Sequence, residues 1–206
     1  MAATELPASP AAERNKQPIL EVLQHRLPAS ARVLEIGAGT GQHAVYFARH
    51  LPAAVWQASE LPEHLPLLSA RIDQEGDGMP NPIELDVFGD WPDETFDAIF
   101  TANTLHIMPW SHTPVLIERA AAGLVENGEL IIYGPFHDGG RHTAESNQRF
   151  DQMLRSRDAD MGVRDSKEIT RHAQSHGLSP MADITMPANN RILVFRKSKR
   201  KPTDHR

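Results

Sequence analysis

The run Val33-Leu34-Glu35-Ile36-Gly37-Ala38-Gly39-Thr40-Gly41 constrains this chain more than any other segment. A short apolar stretch of strand character ends in three alternate glycines. The stretch that follows, Gln42 to His50, puts Ala44, Phe47 and Ala48 on one helical face. Glycines at alternate positions strip one side of a turn of its Cβ atoms and admit dihedrals closed to other residues, so the backbone can approach a ligand closely. The helix N-terminus then points its unpaired N–H groups at the bound group. Strand, tight turn and helix in this order make a nucleotide cradle.

The bulk composition narrows the setting. With 206 residues and a hydrophobic share of 40%, the chain has material for one ordinary domain with its own core. Its 21 basic against 27 acidic residues give a formal charge of -6, which disfavours a nucleic-acid-binding body that must neutralise phosphates. The basic run Arg196-Lys197-Ser198-Lys199-Arg200-Lys201 reads as a solvated tail, with a nucleic-acid or anionic-surface contact as the alternative. There is no cysteine, which excludes disulfides, a thiolate nucleophile and cysteine-ligated zinc. Met1 to Ala12 lacks a basic leader and an apolar export segment, and no apolar run is long enough to span a membrane. A cytoplasmic protein is expected.

Helical and strand patterns alternate, as in an α/β fold with a mainly parallel sheet. Residues 1–13 read as a flexible arm, 14–197 as a single domain and 198–206 as a basic disordered tail. The first helix is expected to begin near Gln17, with Pro18 in its first turn. Strands are expected at Arg32 to Ile36, Ala54 to Ala58, Ile83 to Leu85, Phe96 to Thr101 and Glu129 to Tyr133. The helix before the last of these is expected to end at a C-cap pair, Asn127-Gly128. Gly134-Pro135-Phe136 and a polar loop follow. Asp165 to Glu168 form a capping box, and two closing strands, Ala182 to Met186 and Arg191 to Phe195, make an antiparallel hairpin.

The glycine turn alone does not choose its ligand, because dinucleotide and S-adenosylmethionine sites share strand, turn and helix. A dinucleotide fingerprint would place its third glycine at position 42, where this chain has Gln42. Glu35, two residues before Gly37, suits an ammonium group and would repel a pyrophosphate. Glu60, at the end of the second strand, is placed to accept hydrogen bonds from ribose hydroxyls, with a surface helix cap as the alternative. Asp86 and the Val87 backbone are placed to read an adenine ring, with a plain loop role as the alternative. Asn103 and His106 are the polar residues delivered by the fourth strand to the rim beside the glycines.

The set Glu35-x-Gly37-x-Gly39-x-Gly41, Glu60, Asp86 and Asn103 to His106 resembles class I S-adenosylmethionine-dependent methyltransferases. Further segments sharpen the likeness: Arg14-Asn15-Lys16, Gly41-Gln42-His43, Tyr133-Gly134-Pro135-Phe136, Ser146-Asn147, Phe150-Asp151, Leu154-Arg155, Gly162 to Asp165 and Met186 to Asn190. They resemble a little-characterised group, a domain of unknown function whose vertebrate members are called methyltransferase-like 26. The resemblance spans residues 13 to 197. It implies a three-layer Rossmann-like methyltransferase sandwich, α/β in class, with a seven-stranded mostly parallel sheet and an antiparallel last strand. It implies S-adenosyl-L-methionine as cofactor and S-adenosyl-L-homocysteine as product. Cofactor contacts are expected from Arg14, Asn15, Glu35, Gly37, Ala38, Gly39, Gly41, His43, Glu60, Asp86, Val87 and Asn103. Glu60 departs from the Asp more frequent in relatives.

Methyl transfer from a sulfonium is an in-line displacement, so alignment of donor and acceptor supplies much of the rate. A general base is needed only where the acceptor carries a proton of high pKa. His106 is the candidate base, and a rim histidine that only shapes the pocket is the equal alternative. Arg14 is placed to pair the cofactor carboxylate, while Asn15 can equally be a helix cap. Tyr133, Phe136, Asn147, Asp151, Arg155, Arg164, Asn189 and Asn190 form the expected acceptor wall. Helical pairing of Asp151 with Arg155 is the competing account. His137, Asp138 and His142 lack a third compact ligand or a helical spacing, so no metal is expected. The expected function is methyl transfer to a small molecule, with a protein acceptor as the alternative, no membrane partner and nucleic acid disfavoured. A non-catalytic adenosylmethionine-binding module is the first alternative, and a nicotinamide-dependent oxidoreductase the second. The acceptor and the oligomeric state are not legible.

Overall fold

Four of the five residues of β1 (Arg32–Ile36) are buried, as befits a strand covered on both faces inside a parallel sheet. The chain, a computed structural model describing residues 6–198, continues through α2 (Gln42–His50), β2 (Val55–Glu60), α3 (Leu65–Glu75), β3 (Ile83–Glu84) and β4 (Phe96–Ala102). Next come α4 (His112–Gly123), β5 (Leu124–Gly134), β6 (Phe136–Asp138), β7 (Arg141–His142), α5 (Glu145–Arg157) and β8 (Arg164–Asp165). It closes with α6 (Ser166–Ser175), β9 (Leu178–Met186), a 3-10 turn (Pro187–Asn189) and β10 (Asn190–Lys197), while α1 (Pro10–Arg26) precedes everything. Residues 1–5 of the expected arm and 199–206 of the expected basic tail lie outside the described residues.

Seven strands form one sheet in the order β3-β2-β1-β4-β5-β10-β9. All pairs are parallel except those of β10, which runs antiparallel to both β5 and β9. The last strand is therefore the antiparallel one. The order reverses between β1 and β4, and ligands in open α/β sheets bind beyond the strand ends at such a reversal. Helices α1, α2 and α3 cover one face, where Ile19, Leu23, Phe47 and Leu68 pack on Val33, Trp56, Phe100 and Ile131. On the other face Leu116, Ile117 and Ala120 of α4 and Ile169 and Ala173 of α6 pack on Leu34, Ile99, Leu130 and Leu193. The result is a three-layer Rossmann-like fold. Among the described residues no helix is long and apolar enough to cross a membrane.

Three local expectations are corrected. The first helix starts at Pro10, not near Gln17, because Ser9 caps it: Ala12 N–H donates to Ser9 Oγ at 3.4 Å and Pro10 occupies the first turn. Residues 10–13 thus belong to a helix rather than an arm. Pro18 stands inside that helix, where it cannot donate to the Arg14 carbonyl. Helix α4 stops at Gly123, not at Asn127-Gly128, because Leu124 turns extended and pairs with Phe96 in the core. Residues 125–128 bulge between register pairs, with Asn127 left-handed at φ 64°. The expected polar loop after β5 contains a small second sheet, β7-β6-β8. Gly139 and Gly140, at φ 58° and 80°, make its two-residue hairpin turn, and both donate to the Asp165 carboxylate at 3.1 and 3.2 Å.

Candidate functional site

The turn between β1 and α2 uses its three glycines for two different purposes. All have positive φ, at 69°, 58° and 78° for Gly37, Gly39 and Gly41. A Cβ at Gly37 would stand 2.8 Å from Thr104 Oγ1, and one at Gly41 would stand 2.8 Å from Leu68 Cδ1. These two let the turn pack against the β4 loop and α3. A Cβ at Gly39 would meet no atom within 4 Å, so that position opens onto free space. An adenosine-bearing cofactor fits such a cradle. The Gly39 N–H donates to Glu60 Oε1 at 3.0 Å, and the Leu61 N–H donates to Glu60 Oε2 at 2.6 Å. The carboxylate at the end of β2 is thereby fixed against the turn. The Ala38 N–H is engaged as well, donating to the Ser59 carbonyl at 3.0 Å.

Two of the expected cofactor contacts stand behind the turn instead. Glu35 is 1% exposed, and Trp56 Nε1 donates to its Oε2 at 2.7 Å. Strand alternation turns Glu35 into the α1–α2–α3 layer. Burial pushes its carboxyl up to about 7, with the Trp56 bond opposing and the Glu60 charge adding to the rise. His43 is buried and stacked on Phe47, and its Nε2 donates to Asn15 Oδ1 at 2.6 Å. Burial holds its pKa down at about 4, so it orients Asn15 as a neutral ring. Farther along the rim, Asp86 is exposed and Oδ1 accepts the Phe88 N–H at 2.9 Å, while Val87 is buried.

The segment before and within the first turns of α1 is strapped to the glycine turn. The Gln42 Oε1 accepts from the Ser9 N–H and from Thr40 Oγ1, and its Nε2 donates to Glu13 Oε1 at 3.0 Å. The buried Arg71 donates from Nε to the Thr40 carbonyl at 2.6 Å and from Nη2 to the Pro7 carbonyl at 2.9 Å. Sequence reasoning missed both straps. Gln42 sits where a dinucleotide fingerprint has glycine, and that substitution was the available signal.

The strap forms one wall of a cleft of about 710 Å3 beyond the ends of β4 and β5. Seven expected residues meet in it: Arg14, Asn15, Asn103, His106, Tyr133, Asn147 and Asn190. Asn103 is left-handed at φ 59°, and its N–H donates to the Tyr133 carbonyl at 2.9 Å, which joins the ends of β4 and β5. His106 is buried, edge-on to Phe150 with ring centroids 5.1 Å apart. Burial, aided by the Arg164 charge, lowers its pKa to about 4. Burial raises the Tyr133 phenol, while the Asn15 and Asn190 side chains and the Arg14 charge act the other way. Ser9, Pro135, Ser146, Phe150, Pro187 and Ala188 line the cleft too. Most of these lie inside the segments that carried the resemblance.

Five expected acceptor residues do not line the cleft. Phe136 is buried in the α4–α6 layer, with the Arg191 guanidinium 5.7 Å from its ring centre. Arg164 is buried and donates to the carbonyls of Leu105, Met108 and Asp160, so it splints the β4 loop. Asp151 accepts the Val163 N–H at 2.8 Å and pairs with Arg155 one helical turn on. Asn189 donates to Ser146 Oγ at 3.0 Å, and Asn147 donates to the Asn189 carbonyl at 2.9 Å, pinning the hairpin loop to α5. His137 and His142 face each other across β6 and β7, and no group of three His, Asp or Glu side chains among the described residues is placed to hold a metal.

Solved structures with the same fold include an O-methyltransferase family protein from Burkholderia thailandensis. It is 18% identical with a TM-score of 0.79, and the match covers 93% of this chain and 58% of that one. Human N-acetylserotonin methyltransferase in complex with SAM is 18% identical with a TM-score of 0.76, covering 92% of this chain and 53% of that one. An O-methyltransferase family 2 protein from Planctomyces limnophilus, in complex with apigenin, is 18% identical with a TM-score of 0.72, covering 88% and 61%. The chain thus spans somewhat over half the length of these structures, and the likeness is one of fold. Residues 6–197 match the family described as "Protein of unknown function (DUF938)". With nearly the whole chain matched, the protein belongs to that DUF938 family.

Proposed function

We propose that the protein is an S-adenosylmethionine-dependent methyltransferase acting on a small-molecule acceptor. The observation that carries this is the contact between Glu60 and Gly39: a strand-end carboxylate and an open glycine turn are locked together where the strand order reverses, and Gln42, just after that turn, is bonded to Ser9 of the cleft wall. Each Glu60 oxygen accepts one backbone N–H and keeps a lone pair for a ribose hydroxyl. Gly37, Ala38, Gly39 and Gly41 supply the cradle, and Asp86 with the Val87 backbone lies at the adenine end. Arg14, with no ion-pair partner among the described residues, takes the cofactor carboxylate, while Asn15, oriented by His43, and Asn103 border the methionine end. Glu35 supports the floor of the turn through Trp56.

When bound, the cofactor supplies an electrophilic methyl group on sulfonium sulfur. The chain aligns an acceptor with it in the cleft and keeps bulk water away with the strap of α1 and the 187–190 loop. The fold neighbours support this reading as proteins titled O-methyltransferases. A cytoplasmic location and kinship with methyltransferase-like 26 belong to the same proposal.

Isothermal titration calorimetry with S-adenosylhomocysteine, set against NADH, tests the cofactor. Micromolar binding of the first and none of the second is expected, and the reverse overturns the proposal. Methylation of a metabolite extract with isotope-labelled cofactor then separates an enzyme from a binding module.

A further inference from the structure

The charge lining the cleft is unbalanced. Among its described lining residues Arg14 carries the one permanent charge, and none is a carboxylate. The carboxylates nearby are committed elsewhere: Glu13 to Lys16 and Gln42, Glu35 to Trp56, Glu60 to the Gly39 and Leu61 N–H groups at the ribose end, and Asp151 to Arg155 and the Val163 N–H. An adenosylmethionine molecule adds a sulfonium cation, since its ammonium and carboxylate cancel. The methyl would therefore be presented in a partly enclosed cleft with surplus positive charge, where Coulomb terms are stronger than in water. The polar groups that complete the wall, Asn103, Tyr133 and Asn190, are neutral side chains able to donate hydrogen bonds.

We propose that the acceptor is a small organic acid taken up as its oxyanion, a carboxylate or an acidic phenolate, and methylated on oxygen without a protein base. This rests on the methyltransferase reading above. A lone pair of the oxyanion forms the new O–C bond as the methyl–sulfur bond breaks. That bond's electron pair stays on sulfur, so an anion and a sulfonium become a neutral ester or ether and a thioether, and no proton is released. His106 borders the acceptor as a neutral ring held edge-on to Phe150. With a pKa lowered to about 4 it is too weak a base for an acceptor of high pKa. The raised phenol of Tyr133 keeps its proton and donates it as a hydrogen bond.

The test is competitive calorimetry on the full chain saturated with sinefungin, which carries an amine where the sulfonium methyl stands and transfers nothing. Benzoate is compared with benzamide, 4-nitrophenolate with 4-nitroaniline, and benzylamine serves as the cationic control. At least one anion is expected to bind about tenfold or more tighter than its neutral counterpart, the effect of roughly one unit charge at intermediate dielectric. Benzoate and 4-nitrophenolate separate the carboxylate from the phenolate source. Replacing sinefungin by uncharged-sulfur S-adenosylhomocysteine should reduce the preference about threefold or more, and Arg14→Gln should do the same. The absorbance of bound 4-nitrophenol should titrate at a lower pH than that of the free phenol. Equal or tighter binding of the neutral or cationic compounds, or no measurable binding of either anion, overturns the proposal. Failure of both sinefungin and S-adenosylhomocysteine to bind overturns the cofactor reading itself, a separate result seen before any acceptor is added.

Discussion

Glu60 holds its place through two backbone donors, Gly39 and Leu61, which makes it a brace for the turn and leaves lone pairs for the proposed ribose contact. Charge-assisted hydrogen bonds contribute about 1.5 to 3 kcal/mol each. Glu60→Ala should therefore weaken S-adenosylhomocysteine binding roughly tenfold to a hundredfold by calorimetry, and unchanged affinity would remove the ribose assignment. The place of Glu60 was legible because it follows from the strand end. Glu35 was not, because its donor is Trp56 on the neighbouring strand, a partner that local sequence does not reveal. The same holds for Arg164 and Asp151, which looked like cleft residues and instead satisfy backbone groups of distant loops.

At the level of elements, α1 owes its position to α2 and α3. Arg71 joins the Thr40 and Pro7 carbonyls, and Gln42 reaches Ser9 and Glu13, so the start of α1 is held over the glycine turn. Arg71→Met removes three charge-assisted bonds, to the Thr40 and Pro7 carbonyls and to Glu75, and should speed amide exchange over residues 9–15 about tenfold or more, with exchange in β5 unchanged. S-adenosylhomocysteine affinity should fall with it, since Arg14 and Asn15 ride on that turn. Unaltered exchange by mass spectrometry would show that the strap does not hold the helix. The core strands and helices were readable from apolar periodicity, as β1, β4 and β10 show. The start of α1 was readable too, in Ser9-Pro10, but the flanking Ala and Pro residues resemble an arm. The end of α4 was masked because Asn127-Gly128 carries a helix-stop signature that the bulge before Glu129 uses instead.

Across the whole molecule, buried titratable groups set the pH response. Glu35 has a folded pKa of about 7 against an ordinary 4.5, so between those values the native state binds more protons than the unfolded chain. Its contribution is fully present below about pH 4.5 and is lost as pH rises through 7, a cost of the order of 3 kcal/mol. His43 and His106, lowered to about 4, act oppositely: their contribution is present above about pH 6.5 and is lost as pH falls toward 4. Glu35→Gln isolates the first effect. Its Tm should match the parent near pH 5 and exceed it by roughly 5 to 10 °C at pH 8, and a constant difference across pH would contradict the buried acid. The position of β10 has a consequence for biosynthesis. It is hydrogen-bonded on both edges yet follows both neighbours in sequence. On the ribosome, the Leu130-Ile131-Ile132 edge of β5 must therefore wait for residue 197 to emerge, exposed to foreign strands in the meantime. The cleft wall at Asn190 is completed in the same late event, so binding competence and protection from aggregation arrive together.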